Sequence, residues 1–256
     1  FFADGVVENA TGALLEHYCG CPGERGMLVW EPELLAKAVT DVDAAGFQPH
    51  IHTIGDRAVR VALDALEAAE RANGPRDRRA VLAHVQLIDE TDRDRFAALG
   101  AIANAEPLWS QLDALMNVLT VPRLGQERAD TQYPWASLSA RGIPMSFGSD
   151  WPVSSADPLQ GMAVACSRQT EDRAPEGGWT PHERLPVDEA FRCYTAGTAY
   201  QGFRDAGRFT VGADADFALL CADPRTLDNP RDLDTIHVRE TWVGGSPVAT
   251  TSHPHP

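Results

Sequence analysis

Phe47-Gln-Pro-His-Ile-His-Thr-Ile-Gly-Asp-Arg-Ala58 is a strand running directly into a helix. Phe47 to Ile54 carries alternating apolar residues and ends at Gly55-Asp56, where the period changes. Ala58, Val61, Ala62, Ala65, Leu66 and Ala69 then recur at i, i+3, i+4 and i+7, the pattern of a helix that docks one face. Asp56 is the expected cap, and Asn73-Gly74-Pro75 the stop.

Downstream the unit repeats. Ala80 to Val85 is a strand, Asp89 to Leu99 a helix ended by Gly100, and Ala101 to Ala105 a shorter strand. A long loop starts at Glu106-Pro-Leu-Trp109. Ala136 to Ala140 is helical, and Ile143 to Phe147 is a strand that stops at Asp150, with Pro152 barring its extension. Asp157-Pro158 opens a helix to about Arg168, residues 170 to 184 form a polar loop, and Val187 to Tyr200 is the last long helix. Upstream, Phe1 to Ala3 reads as a strand entering the Asp4-Gly5 turn, and residues 8 to 30 as an irregular loop. Pro32 then opens a helix whose apolar face is Leu34, Leu35, Ala38, Val42 and Ala45, ended by Gly46. Strands alternating with helices at this spacing make an α/β fold with a parallel sheet. After Gly207 the texture changes: Phe209 to Val211, Asp216 to Cys221 and Ile236 to Val243 are short β segments, with Gly244-Gly245 as a turn.

Composition removes several classes of function. The 256 residues hold 43% hydrophobic and 23% charged residues, as an ordinary globular chain does. No apolar run reaches membrane-spanning length, so no membrane partner is expected. A net charge of −15 repels a phosphate backbone, and no basic stripe offsets it, so nucleic acid is not a partner. Five scattered cysteines fit a reducing, cytoplasmic setting, and Cys19-Gly-Cys21 lacks the second pair of a zinc site. Gly-x-Gly-x-x-Gly and phosphate-loop motifs are absent. Self-association into a homo-oligomer is left open.

Three residues could carry chemistry together. His52 closes its strand, with His50 on the same face by period-2 alternation. His84 stands near the end of the next strand, 32 residues on, and Asp150 follows 66 residues later. That spacing sets the three at equivalent heights on strands k, k+1 and k+3, at the strand ends where barrel enzymes build their sites. A strand-end histidine taken alone is more often a hydrogen-bonded core residue. Two imidazoles and a carboxylate at matching ends suit a divalent ion, zinc first, whose bound water ionises near pH 7. Trp109 and Trp151, in loops after strands, and Gln86, read as lying on the strand face of His84, are candidate pocket residues for a small-molecule substrate.

His50-Ile-His-Thr-Ile-Gly-Asp-Arg-Ala58, Leu82-Ala-His-Val-Gln86, Gly148-Ser-Asp-Trp-Pro-Val153 and Tyr194-Thr195 with Ala199-Tyr200 together resemble the amidohydrolase superfamily. Phe2-Ala-Asp-Gly5, Glu106-Pro-Leu-Trp109 and Gly212-Ala-Asp-Ala-Asp216 narrow the resemblance to its family-3 branch, which includes N-substituted formamide deformylase. It extends from Phe1 to about Val248. The resemblance implies a TIM-type (β/α)8 barrel plus a small β-sandwich. It divides the chain into a partial barrel over residues 1–206 and the C-terminal part of the sandwich over 207–250; the Ser252-His-Pro-His-Pro256 end has nothing to pack, so a disordered tail is expected over 251–256. It places metal ligands at His52, His84 and Asp150, on the fifth, sixth and eighth strands, around one or two divalent ions. It implies hydrolysis of a non-peptide carbon–nitrogen bond, amide or formamide, by metal-bound hydroxide, with Asp150 as general base and then general acid.

Two departures accompany the resemblance. The superfamily's first-strand His-x-His pair has no counterpart, and the bridging lysine would fall at or before Phe1; the one lysine, Lys37, is on a helix. Casting His50 and His52 as that pair leaves too few strands after it. The reading is therefore of strands 4 to 8, with the remaining barrel strands expected upstream. A non-catalytic remnant of such a barrel is the alternative. A phosphate-binding aldolase or isomerase barrel is disfavoured by the lack of a strand-end lysine.

Overall fold

The computed structural model describes residues 1–250, without the side chain of Thr250; the expected tail at 251–256 lies outside the described residues. The chain forms two compact units, one of residues 1–105 and 112–145, the other of residues 106–111 and from Ser146 onward.

The first unit is built on parallel strands β1 (His50–Thr53), β2 (Val81–His84) and β3 (Ile102–Ala105). The sheet order continues into β4 (Met145–Phe147), whose lead-in Pro144 carbonyl accepts from Ala103 N–H at 3.0 Å. On the other side of β1, Phe2 pairs in parallel with His52. Ile51 and Thr53 are fully buried, so one face of β1 is sealed, while the histidine face is exposed at His50 and largely enclosed at His52.

Helices α1 (Pro32–Ala44), α2 (Asp56–Asn73) and α3 (Glu90–Leu99) provide the cover: α2 packs on α1, α3 and β1. All six expected apolar positions of α2 are buried, with Val59 and Leu63 beside them. Burying a leucine such as Leu63 or Leu66 stabilises by about 1.5–3 kcal/mol. Gly55, not Asp56, is the α2 cap residue. Asp56 stands inside the first turn, where its carboxylate accepts the N–H of Arg57 at 2.9 Å and of Leu15 at 2.8 Å.

The buried stripe of α1 is Leu35, Val39 and Asp43, whereas Leu34 is exposed. The apolar pattern missed this face because one of its members is an acid. Asp43 is buried, but accepts from Asn73 Nδ2 at 2.8 Å and Arg76 Nε at 2.7 Å and pairs with Arg78 Nε at 3.0 Å. Burial alone would raise its pKa; these three partners outweigh burial and hold the carboxyl below the ordinary range. The segment after β3, expected as a plain loop, is a chain of short helical turns at Pro107–Trp109, Met116–Thr120, Val121–Leu124 and Gln126–Ala129.

The second unit holds the helix Pro158–Ser167, capped by Asp157, which packs on the turns Pro107–Trp109 and Pro230–Thr235. The expected helix 187–200 is present as Val187–Arg192, a wider π stretch Cys193–Gly197, and Thr198–Gln201. A three-stranded antiparallel sheet follows, β5 (Phe217–Leu220), β6 (Val238–Val243) and β7 (Ser246–Thr250). Phe209–Val211, expected as a strand, is not one: Phe209 and Val211 are exposed, and without a partner strand an apolar triplet has no ladder to join. Its place is taken by β7, where Gly244 and Gly245, both at positive φ, turn β6 back on itself. No helix of the described residues is long and apolar enough to cross a membrane.

Candidate metal centre

His52 and His84 meet at the C-terminal ends of β1 and β2, with ring centroids 4.7 Å apart in an edge-to-face arrangement. Strand register alone does not put them together. His52 pairs with Ala83, and His84 with Thr53, so the two histidines are one step out of register and the pleat sends them to opposite faces. The backbone resolves this. His84 and Val85 both have positive φ, 74° and 43°, so the chain leaves extended geometry at His84 and turns its imidazole across to His52. The expected equal heights are thus corrected: it is the local twist, not the register, that joins the rings. For a β-branched residue such as Val85 a positive φ is a strained state, of the kind that concentrates at functional sites.

His52 is held from a direction that sequence reasoning did not anticipate. Asp4, buried at 2% exposure, puts Oδ1 3.3 Å from His52 Nδ1. The same carboxylate accepts the N–H groups of Ile54 at 3.0 Å, Gly55 at 2.8 Å and Ala13 at 2.8 Å. The signal that marks Asp150, an acid placed where an apolar strand gives out, also marks Asp4 after Phe2-Ala3. His52 Nδ1 is itself buried without an aligned hydrogen bond. With Nδ1 turned toward Asp4, Nε2 is the nitrogen left to a cation, and two adjacent imidazoles suit a borderline divalent ion.

Asp150 lies in the second unit, exposed, on a turn closed by Val153 N–H donating to the Asp150 carbonyl at 2.8 Å. Its φ is 50°, so a left-handed residue stands three positions beyond Phe147, the last residue of β4. The strand end is braced by Thr198 Oγ1 donating to Phe147 O at 3.4 Å, Tyr194 hydroxyl to Gly148 O at 3.5 Å, and an edge contact between Phe147 and Tyr194. Burial raises the Tyr194 phenol above its ordinary range. Among the described residues no three His, Cys, Asp or Glu side chains are grouped as a metal site.

The pocket candidates part ways. Trp151 is 72% exposed and Trp109 half-buried, both in the second unit. Gln86 is not on the strand face of His84, because β2 ends at His84. It is buried and donates Nε2–H to Gln132 Oε1 at 2.7 Å.

A model described as the amidohydrolase family matches residues 1–249. The chain belongs to this family. It is similar to the putative amidohydrolase YtcJ of Bacillus subtilis, 31% identical over 249 residues, which cover 96% of this chain and 46% of that protein. It is also similar to the N-substituted formamide deformylase of Arthrobacter pascens, 26% identical over 88% of this chain and 41% of that one. Among solved structures, an uncharacterized metal-dependent hydrolase from Pyrococcus horikoshii superposes with a TM-score of 0.76 at 26% identity, over 88% of this chain and 44% of its own. One from Pyrococcus furiosus gives 0.70 at 29%, over 84% and 42%. The chain thus spans less than half the length of these relatives, and its parallel sheet fits part of an α/β barrel of the amidohydrolase type.

Proposed function

We infer that this chain forms part of a metal-dependent amidohydrolase that cleaves a non-peptide carbon–nitrogen bond of the amide or formamide class. The observation that carries the reading is the pair of imidazoles at the ends of β1 and β2, brought ring to ring by a strained backbone. Kinship to a formamide deformylase and to metal-dependent hydrolases supports it. In this reading His52 and His84 hold a divalent ion, with zinc the first choice for two imidazoles. The ion, when bound, supplies Lewis acidity to the reacting carbonyl.

The remaining chemistry is assigned to the chain's own groups. The Asp150 carboxylate takes a proton from the attacking water and returns it to the departing nitrogen, base first and acid second. An exposed carboxylate suits that exchange, since it reaches both water and substrate. Trp151, exposed on the same turn, and Trp109 offer apolar surface for the substrate's acyl or amine substituent.

The test is a metal analysis of the purified protein followed by an amide and formamide panel before and after chelation. Turnover that falls with the metal and returns on zinc addition supports the reading. Turnover indifferent to the chelator contradicts it, and a protein with neither metal nor turnover is the non-catalytic remnant.

A further inference from the structure

We propose that Asp4 is the positioning residue for His52, fixing both the backbone that carries the imidazole and the ring nitrogen that keeps its hydrogen. The inference rests on His52 being a metal ligand, but the tautomer it assigns can be read without any metal.

Asp4 is unusual in what it gathers. Its Oδ2 takes the N–H groups of Ala13 and Gly55, and Oδ1 takes that of Ile54. Those donors come from the loop after the first turn and from the residues that follow β1, so one buried carboxylate ties the rim loop to the strand that carries His52. The tie is close: a Cβ on Gly55 would sit 1.9 Å from the Ala13 carbonyl oxygen. Oδ1 retains a lone pair, and His52 Nδ1 stands 3.3 Å from it. A carboxylate facing Nδ1 favours the hydrogen on that nitrogen, which leaves Nε2 with the free lone pair. Carboxylates that accept the second ring N–H of a ligating histidine fix its tautomer and orientation in this way. The alternative role, a purely structural clamp, accounts for the three backbone bonds but not for the approach to Nδ1.

Long-range proton–nitrogen correlation spectra of the full chain, with histidines labelled and metal removed, read the tautomer directly. They are recorded well above the ordinary histidine pKa of about 6.5. Wild-type His52 is expected as the Nδ1–H form, and Asp4→Ala as a mixture of both tautomers. Asp56→Ala serves as a control: it releases the same loop at Leu15 without touching His52, and should leave the tautomer unchanged. Zinc affinity, by competition with a chromophoric chelator, should fall about 10–100-fold in Asp4→Ala. A wild-type His52 carrying its hydrogen on Nε2, or a tautomer that Asp56→Ala shifts as much as Asp4→Ala, overturns the proposal. If wild type shows the Nδ1–H form but binds no zinc, it is the metal reading that fails and the Asp4 contact that stands.

Discussion

The strand ends of the two units solve one problem differently. In the first unit, His52 and His84 are largely enclosed and set edge to face, and His52 stands against Asp4, whose carboxylate accepts three backbone N–H groups. In the second, Asp150 stands exposed on a four-residue turn, with its bracing applied behind it, at Phe147 and Gly148. β2 stops on a left-handed residue, His84, and the segment after β4 turns through another, Asp150, three residues beyond Phe147. The contrast fits a division of labour: groups that hold a cation need fixed lone pairs, while a group that carries protons needs access to water and substrate.

The strongest way to break that division is Asp150→Asn. It should lower kcat by about 10²–10⁴-fold, the range of general acid–base catalysis, with the metal content of the protein reduced far less than by His84→Ala. Equal metal loss in the two variants would make Asp150 primarily a ligand and erase the contrast.

Next comes the helical layer that seals the first unit. Asp43→Ala leaves Arg76 and Arg78 without their shared acceptor and should destabilise the protein by about 3–5 kcal/mol in urea titrations. The pH dependence has a definite sign. Because the folded-state carboxyl is held below its unfolded value of about 3.9, the wild type keeps this stabilisation above that value and loses it as pH falls through the folded pKa. Asp43→Ala should remove that part of the acid sensitivity.

A smaller effect probes the rim. Gly55→Ala drives a methyl into the Ala13 carbonyl, and should cost about 1–3 kcal/mol while weakening zinc binding. The corresponding Gly148→Ala in the second unit meets open space and should be close to neutral for stability.

The mildest test concerns thiols. Cys166 and Cys193, in the helical segments of the second unit, are buried, and burial pushes both up to about 12. Cys19, Cys21 and Cys221 are exposed. A thiol reagent near neutral pH should label three cysteines in the native protein and all five after denaturation. Fast labelling of Cys166 would show that the second unit is open throughout and not only at its turn.

What was legible in the sequence followed from periodicity. The docking face of α2 could be read because it is purely apolar, though its cap could not, and β1 and β2 were legible as short segments closed by turn residues, each shorter than its pattern suggested. The α1 face was misread because Asp43, a charged residue, occupies a buried position on the strength of two arginines and an asparagine up to 35 residues away in the chain. The strand assignment at Phe209–Val211 failed for a related reason. Propensity marks segments able to pair, but the ladder is decided by the Gly244-Gly245 turn that brings β7 to β6. In the candidate site, His52, His84 and Asp150 were visible as polar residues ending apolar strands. Asp4 obeyed the same rule and was passed over, since its three donors lie at sequence separations of 9, 50 and 51. Nor could the strand register have predicted that His84 turns back to His52, because that depends on two positive φ angles at non-glycine residues.

The central claim is that His52 and His84 hold a divalent ion. Elemental analysis by mass spectrometry of the purified chain and of the His52→Ala/His84→Ala double variant, each reloaded with zinc and desalted, tests it most directly. The account predicts bound zinc in the first and its loss in a folded second protein. Equal zinc in both would contradict it.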